Sequence, residues 1–512
     1  MDTNHELGHK ANLFSAICLG IGTIVGSGWL FASYYSAQYT GPAAIISWII
    51  GAIISIMIAF LLAEISTIYP ERSLFARLFT ISHNPELGFV LAISNWFAAL
   101  LIVPSEATAT VQYLSASIPG LADKIIIHEH LTWIGTGLIG IVILIYGILN
   151  YWGIKSLAHS NNFITIIKLI VPTLTGVVII YTAFHPGNFT LYKHTVAPYG
   201  ITSIFSAIVN CGIFYAFYGF SLITIFASEL KNPQKNMPIA LVCSILICLF
   251  IYIILQIAFI GALDPAKVAQ GWHKIEFTSP LAQLASLLGI NWLALVLYAD
   301  SALSPSGTGI VYSGSGARML NSMAEDGQMP KFFASLHPQF KLSRSSLIFT
   351  LVLAFLVLLF FSSWQKIMIV ITVFQLISCI AVPVSFTKLR NSQPNMSRWF
   401  KVPFGKTISL ACFLILSYLL IQSGTRAIVV ALFVHVLFFI VYCMVLYKFN
   451  FSNWCRSFAS SWTMFGCLVF TGFFSYLQEN GYMQNVTNLV IFLGLSVICY
   501  FLMIHQKNLM KN

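Results

Sequence analysis

Gly22-Thr-Ile-Val-Gly-Ser-Gly28 sits in the middle of the first long apolar stretch of the chain. Three glycines and a serine within seven residues disfavour a continuous helix and leave backbone N–H and C=O groups without helical partners. In hydrocarbon such groups persist only where protein encloses them, so the run predicts a polar site inside an apolar surrounding. A second interruption, Phe217-Tyr-Gly-Phe220, falls in the sixth apolar stretch. Paired breaks of this kind are the sequence sign of the binding site of a secondary transporter.

The chemistry of the first break suits a zwitterion. Unpaired N–H groups at the start of a half-helix, together with the helix dipole, favour a carboxylate. Gly26, Ser27 and Gly28 are therefore candidates to hold one by backbone N–H, with the Ser27 hydroxyl assisting. Carbonyls near Ile21 to Thr23 and near Ala216 to Tyr218, the second set freed by Gly219, are candidates to take an ammonium. The competing reading is that these glycines only let helices pack closely. Phe217 and Tyr218 are candidate gating rings, with plain core packing an equal alternative.

Ionisable residues deep in apolar stretches are few, and each is a functional candidate. Lys168 lies in Asn161-Asn-Phe-Ile-Thr-Ile-Ile-Lys-Leu-Ile-Val-Pro172. Burial disfavours an ammonium, so such a lysine is suited to gain and lose a proton during a cycle; a static lysine held by carbonyls or by an acid is the alternative. Glu106 and Asp300 are the deep acids, able to pair with Lys168 or to relay a proton. Glu64, Glu229 and Arg318 fall near span ends and are expected to form an ionic network at one face. Ser304-Pro-Ser-Gly-Thr-Gly309 adds hydroxyls and a kink.

These residues need spans to position them, and the composition supplies them. Of 512 residues, 58% are hydrophobic and 8% charged, against about 25% charged in a soluble domain. The chain lacks the polar surface of a water-soluble globule and reads as an all-α polytopic membrane protein. The first apolar stretch has no short core with a small-residue cleavage site, so no cleavable signal peptide is expected. Counting stretches of about 20 apolar residues predicts fourteen spans, among them 12–37, 86–117, 202–229, 290–321 and 366–389, with a short helix at 279–288 before the eighth. With the N-terminus inside, nineteen Lys and Arg fall on the inner face and six on the outer, Lys168 within the membrane completing the 26. That asymmetry predicts cytoplasmic N- and C-termini.

Other classes fit poorly. The net charge of +11 is scattered through short loops rather than gathered on one face, which disfavours a nucleic-acid partner. The ten cysteines include no C-x-x-C pair and read as packing residues, as does the lone His435. No P-loop, H-E-x-x-H or G-x-S-x-G motif is present, so neither an ATP-driven pump nor an enzyme is expected, and no metal or cofactor is called for. A sensor using a transporter fold is the alternative from another class; such proteins carry a soluble signalling domain, and the longest polar stretches, near 321–345 and 388–406, are too short for one.

Several runs resemble the amino acid–polyamine–organocation permeases. Tyr39-Thr-Gly-Pro-Ala-Ala-Ile-Ile-Ser-Trp48 with Ala63-Glu64 and Tyr69-Pro70-Glu71 resembles their second span, and Ile24-Val-Gly-Ser-Gly28 their first-span motif. Glu229-Leu-Lys-Asn-Pro233 with Pro238, and Ala324-Glu-Asp-Gly-Gln-Met-Pro-Lys-Phe-Phe333, resemble segments after their sixth and eighth spans. The match runs in order from about 12 to 390. It implies a LeuT-type core, 1–392, of two inverted five-helix repeats, about 12–184 and 202–389, with spans 1 and 6 broken, followed by about four accessory helices in 393–512. In some members a lysine at the place of Lys168 stands where sodium sits in sodium-coupled relatives, which implies proton coupling. Ser221 replaces the acid common after the family's span-six aromatic, which argues against a cationic substrate. Gly26-Ser-Gly-Trp-Leu-Phe31 with Gln38-Tyr-Thr-Gly-Pro42 is similar to the bacterial aspartate–proton symporter branch. The resemblance thus implies amino-acid import driven by protons, acidic or neutral amino acids being the rival substrates and exchange the rival mechanism.

Overall fold

The computed structural model describes residues 12–69, 74–118, 120–127, 130–152, 156–340, 342–361, 363–484 and 486–506. Pro70-Glu71 of the span-two motif and the basic residues Lys10, Arg72, Lys155, Lys341, Lys507 and Lys511 lie outside them, as do the side chains of 156–164 and of Glu229.

The fold is helical. Its main helices are α1 (Leu13–Ile24), α2 (Gly28–Thr40), α3 (Ala44–Ile68), α4 (Leu74–Ser82), α5 (Pro85–Ala116), α6 (Trp133–Tyr151), α7 (Ser156–Thr182), α8 (Ile201–Asn210), α9 (Ile213–Phe217), α10 (Pro233–Ala262), α11 (Pro280–Leu287), α12 (Asn291–Glu325), α13 (Arg344–Leu358), α14 (Trp364–Ser392), α15 (Gly405–Ile421), α16 (Thr425–Tyr447), α17 (Phe451–Glu479) and α18 (Val486–His505). An antiparallel pairing of Ile126–Ile127 with His130–Leu131, before α6, is a β element that the composition did not suggest. Local chemistry sets the starts. Asn12 accepts from the Ser15 N–H at 2.8 Å and Asn84 from the Leu87 N–H at 2.8 Å, and Pro85 occupies a first-turn position where its missing N–H costs nothing.

Among the described residues nine helical stretches are long and apolar enough to cross a membrane, ten if the bent pair Ile201–Asn210 and Ile213–Thr224 counts as one. The difference from fourteen has physical causes. α2 and α3 run on through one tight turn at Gly41–Ala43 and count together. α1, α13 and α15 are apolar but short. α12, 35 residues long, is diluted by serines, glycines and Asp300.

The bundle has an inside and a rim. The most apolar window of α5 is wholly buried and that of α14 is 94% buried, whereas those of α6 and α18 are only 28% buried. α5 packs along α12 and α14, so it forms the axis, while α6 and α18 turn leucines, isoleucines and phenylalanines outward. A protein whose rim is this apolar is built for lipid contact.

Two interruptions cut the bundle. α1 gives way to α2 through Val25, Gly26 and Ser27, where the sequence places it. The second differs from expectation. α8 and α9 meet at 55° across Cys211 and Gly212, where Gly212 takes φ +83°, a value that glycine adopts without the Cβ clash. The sharp bend therefore lies at Gly212 rather than Gly219. At Tyr218 the backbone tightens into a 3-10 helix that runs to Glu229.

α15 to α18 are fastened to the rest by an ionic knot. Glu64, 1% exposed on α3, accepts from Arg390 Nε at 2.8 Å and Nη2 at 2.6 Å, and from the Val402 N–H at 2.7 Å. Arg398 Nε stands 3.2 Å from the same carboxylate. Glu64 thus ties the link 393–404 to the core. Glu64→Ala leaves two cations and an amide facing a buried gap, and is expected to cost on the order of 3 kcal/mol. The apparent melting temperature of the detergent-solubilised protein should fall clearly below wild type; an unchanged melt would remove the knot from the account.

Candidate substrate site at the broken helices

Val25 leaves the helical region (φ −82°, ψ 91°), and its N–H still bonds Ile21 O at 2.8 Å. The Gly26 N–H turns to Ile24 O at 3.1 Å. The Ser27 N–H donates to Glu106 Oε2 at 2.7 Å. Glu106 Oε1 accepts from the Tyr215 hydroxyl at 2.5 Å. The Ser27 hydroxyl accepts from Trp364 Nε1 at 2.9 Å and lies 3.3 Å from Tyr215 Oη. Ser27 and Glu106 are both fully buried.

The carbonyl end of the break is equally occupied. Lys168 Nζ donates to Gly22 O and to Thr308 Oγ1, each at 2.8 Å. Thr308 Oγ1 lies 3.3 Å from both Val25 O and Ser304 O. Among the described residues Lys168 makes no direct ion pair; a carbonyl and a hydroxyl hold its charge. Thr23 Oγ1 reaches Gly219 O at 3.0 Å and joins the two interrupted segments. Tyr252 donates to Ala216 O at 3.1 Å.

Most residues expected at the site do meet here. Thr23, Gly26, Ser27 and Gly28 form the first break; Ala216 and Gly219 lie against it, a Cβ on Gly28 coming within 3.2 Å of the Ala216 Cβ. Glu106 and Lys168 cap its amide and carbonyl ends. Asp300 stands apart: its Oδ1 accepts from Ser304 at 2.9 Å, while Oδ2 is buried without a hydrogen-bond partner. Phe217 packs edge-on against Trp48 and Tyr252, at 5.7 and 5.4 Å between ring centres. Tyr218 donates to Asn95 at 3.2 Å. The ring layer over Ser27 is made by others: Phe31 stacks on Trp364 at 4.8 Å and Tyr35 on Trp364 at 5.8 Å. Beyond them, at the end of the bundle where α2 stops, lies a cavity of about 530 Å³ lined by Tyr34, Gln38, Gln112, Glu276, Gln283 and Gln365.

Four partners were missed in the sequence. Thr308 fell inside the flagged Ser304–Gly309 run, but nothing singled it out. Tyr215 and Tyr252 are two among 21 tyrosines. Trp364, beside Ser363 at a span end, reads as an interfacial residue. His435 is a packing residue, bonded to Ser94 at 2.7 Å and stacked on Phe374.

The profile of the amino acid permease family matches residues 12–429. The chain belongs to the amino acid permease family. The permease is 38% identical to the glutamate/serine transporter AimA of Bacillus subtilis over 397 residues, 77% of this chain and 74% of the relative. It is 30% identical to the aspartate-proton symporter of the same organism over 499 residues, 96% and 95% of the two chains. In fold the permease is similar to the Eremococcus coleocola manganese transporter, solved with an aromatic bis-isothiourea substituted compound: TM-score 0.56, 13% identity, 93% of this chain and 96% of that one. That likeness speaks to fold alone, and among the described residues no group of three or more His, Cys, Asp or Glu is placed to hold a metal ion. The permease is a multi-pass membrane transporter and not an enzyme.

The two breaks depend on close approach at Gly219. A Cβ there would run into the Thr23 carbonyl and the Ile24 N–H of the facing segment, backbone on both counts. Gly219→Ala is expected to destabilise the closed arrangement by about 1–3 kcal/mol and to cut amino-acid uptake by about tenfold. Gly494→Ala, where a methyl meets nothing within 4 Å, is the control. Equal melts and equal uptake for the two variants would mean that the segments need not touch.

Proposed function

We propose that the permease is a secondary transporter that imports an amino acid together with a proton by alternating access. The observation that carries this reading is the seat of Lys168. Its ammonium spans Gly22 O of the first break and Thr308 of α12, both at 2.8 Å. A fixed cation there ties two helices across the site, and loss of its proton would release them. Proton binding and rearrangement of the break are thereby one event, as coupling requires.

A LeuT-type reading supports the same mechanism. α1–α2 and α8–α9 are the interrupted spans one and six of two inverted five-span repeats in 1–392, and 393–512 supplies four further helices, fourteen spans in all. The excess of Lys and Arg on one face orients both termini to the cytoplasm. For substrate, the relatives named for glutamate and serine and for aspartate agree with a carboxylate-binding break and favour an acidic or small polar amino acid. Glu106 and Asp300 are the remaining candidates for proton handling.

The test is uptake of radiolabelled glutamate, aspartate, serine and a panel of neutral amino acids into proteoliposomes, with and without an inward proton gradient. Wild type should concentrate at least one of them only when the gradient is present, and Lys168→Ala should lose that dependence. Uptake that requires amino acid preloaded inside, whatever the gradient, would make the protein an exchanger and leave Lys168 a structural role.

A further inference from the structure

The amide end of the first break is closed by a side chain that copies half of an amino acid. Glu106 presents a carboxylate to the Ser27 N–H at 2.7 Å and to the Tyr215 hydroxyl at 2.5 Å. Both of its oxygens accept, which is the pattern of an ionised carboxylate. Lys168 meanwhile places an ammonium on Gly22 O. The break therefore holds, at its two ends, the two charges of a zwitterion supplied by the protein itself. Gly26 is shaped to this occupant: a Cβ there would fall 2.5 Å from Glu106 Oε1.

We propose that Glu106 is a tethered competitor for the substrate's carboxylate: the amino acid takes the Ser27 amide and the Tyr215 hydroxyl only as Glu106 gives them up and accepts a proton from solvent. The proposal rests on the amino-acid reading above and adds to Lys168, which ties rearrangement of the break to a proton, a second group that ties substrate arrival to one. Two carboxylates cannot share two donors in a dry site while both remain ionised, because like charges at such range disfavour each other's ionised form. One negative charge is already matched to the donors, so a second is admitted only with a proton, which converts Glu106 from acceptor to neutral acid. The titratable groups facing Glu106 are Tyr215 on α9, Lys168 on α7, Tyr146 on α6, Tyr252 on α10 and Tyr312 on α12. Tyrosines do not change charge between pH 5.5 and 8, which leaves Lys168, and Asp300 facing Lys168, as the rival sources of any proton linkage.

Calorimetric titration of the purified full-length protein with L-serine and with L-glutamate, in buffers of different ionisation enthalpy, counts the protons taken up on binding. Wild type should take up close to one proton per amino acid at pH 8. Glu106→Gln should bind about tenfold more tightly at pH 8, take up none of that proton, and converge on wild type at pH 5.5, where the native residue no longer competes. Amino-acid binding by wild type without proton uptake overturns the proposal and leaves the transporter reading standing. So does proton uptake that persists in Glu106→Gln, which assigns the proton to Lys168 or Asp300, or binding that is lost in Glu106→Gln at every pH in a protein of normal melting temperature. If that variant fails to fold, the wild-type proton count decides alone. Wild type that binds no amino acid of the uptake panel sinks the transporter reading and this inference with it.

Discussion

The buried backbone of Val25, Gly26 and Ser27 breaks the helix, and the chain's own bonds serve only part of it: the Val25 N–H and the Ser27 carbonyl keep them, whereas the Ser27 N–H does not. Each buried N–H or C=O left unpaired there costs as much as a lost hydrogen bond, so other helices must supply partners. Glu106 comes from α5 to the Ser27 amide, Lys168 from α7 to Gly22 O and Thr308 from α12 to Val25 O, while Tyr215 from α9 and Trp364 from α14 hold the Glu106 carboxylate and the Ser27 hydroxyl. Five helices distant in sequence are thereby fixed around one point. The wholly buried course of α5 accords with this: a fully desolvated carboxylate is carried to the bundle axis on a helix that also buries Ser94, Asn95, Thr108 and Thr110.

Satisfying a break differs from rigidifying it. The partners are side chains, and side chains can exchange partners at modest net cost, because a typical hydrogen bond contributes only about 0.5–1.5 kcal/mol net. A helical backbone bond at the same place would be renewed by its neighbours along the turn. The unwound segment is therefore a region of the core where the hydrogen-bond pattern can change without a helix melting. The knot at Glu64 is built on the opposite plan, with one carboxylate engaged by two arginines and an amide, and the arginines held further by the carbonyls of Gln393, Met396 and Val402.

Much of this was legible in the residues. The helix expected at 86–117 is found at Pro85–Ala116 and the one at 290–321 at Asn291–Glu325, because apolar runs between polar loops state their own limits. Short α11 was readable from Gly289, which takes φ +76° after it. The first break was readable because three glycines in seven residues have few other uses. The second was placed too late. Gly212 and Gly219 look alike in sequence, and only tertiary packing decides which one bends and which one is merely crossed closely. The partners of the break were illegible for a related reason: Tyr215, Thr308 and Trp364 are each ordinary for their span, and their roles arise from the depth and facing of helices that are not neighbours along the chain. Glu106 was readable as important but not as the occupant of the Ser27 amide assigned to a substrate.

The ring layer of Phe31, Tyr35 and Trp364 separates the polar 530 Å³ cavity from the buried charges of Glu106 and Lys168. Its consequence is electrical. Water that threaded past those rings would join the cavity to the break as a continuous wire, along which protons move without cargo. Stacked aromatic faces offer water almost no partners, so a single file through them is costly. Trp364 Nε1, a polar atom of the layer on the side of the break, is already bonded to Ser27. The layer is thus an insulator between the cavity and the buried charges of the break, with its Trp364 terminal soldered to the protein.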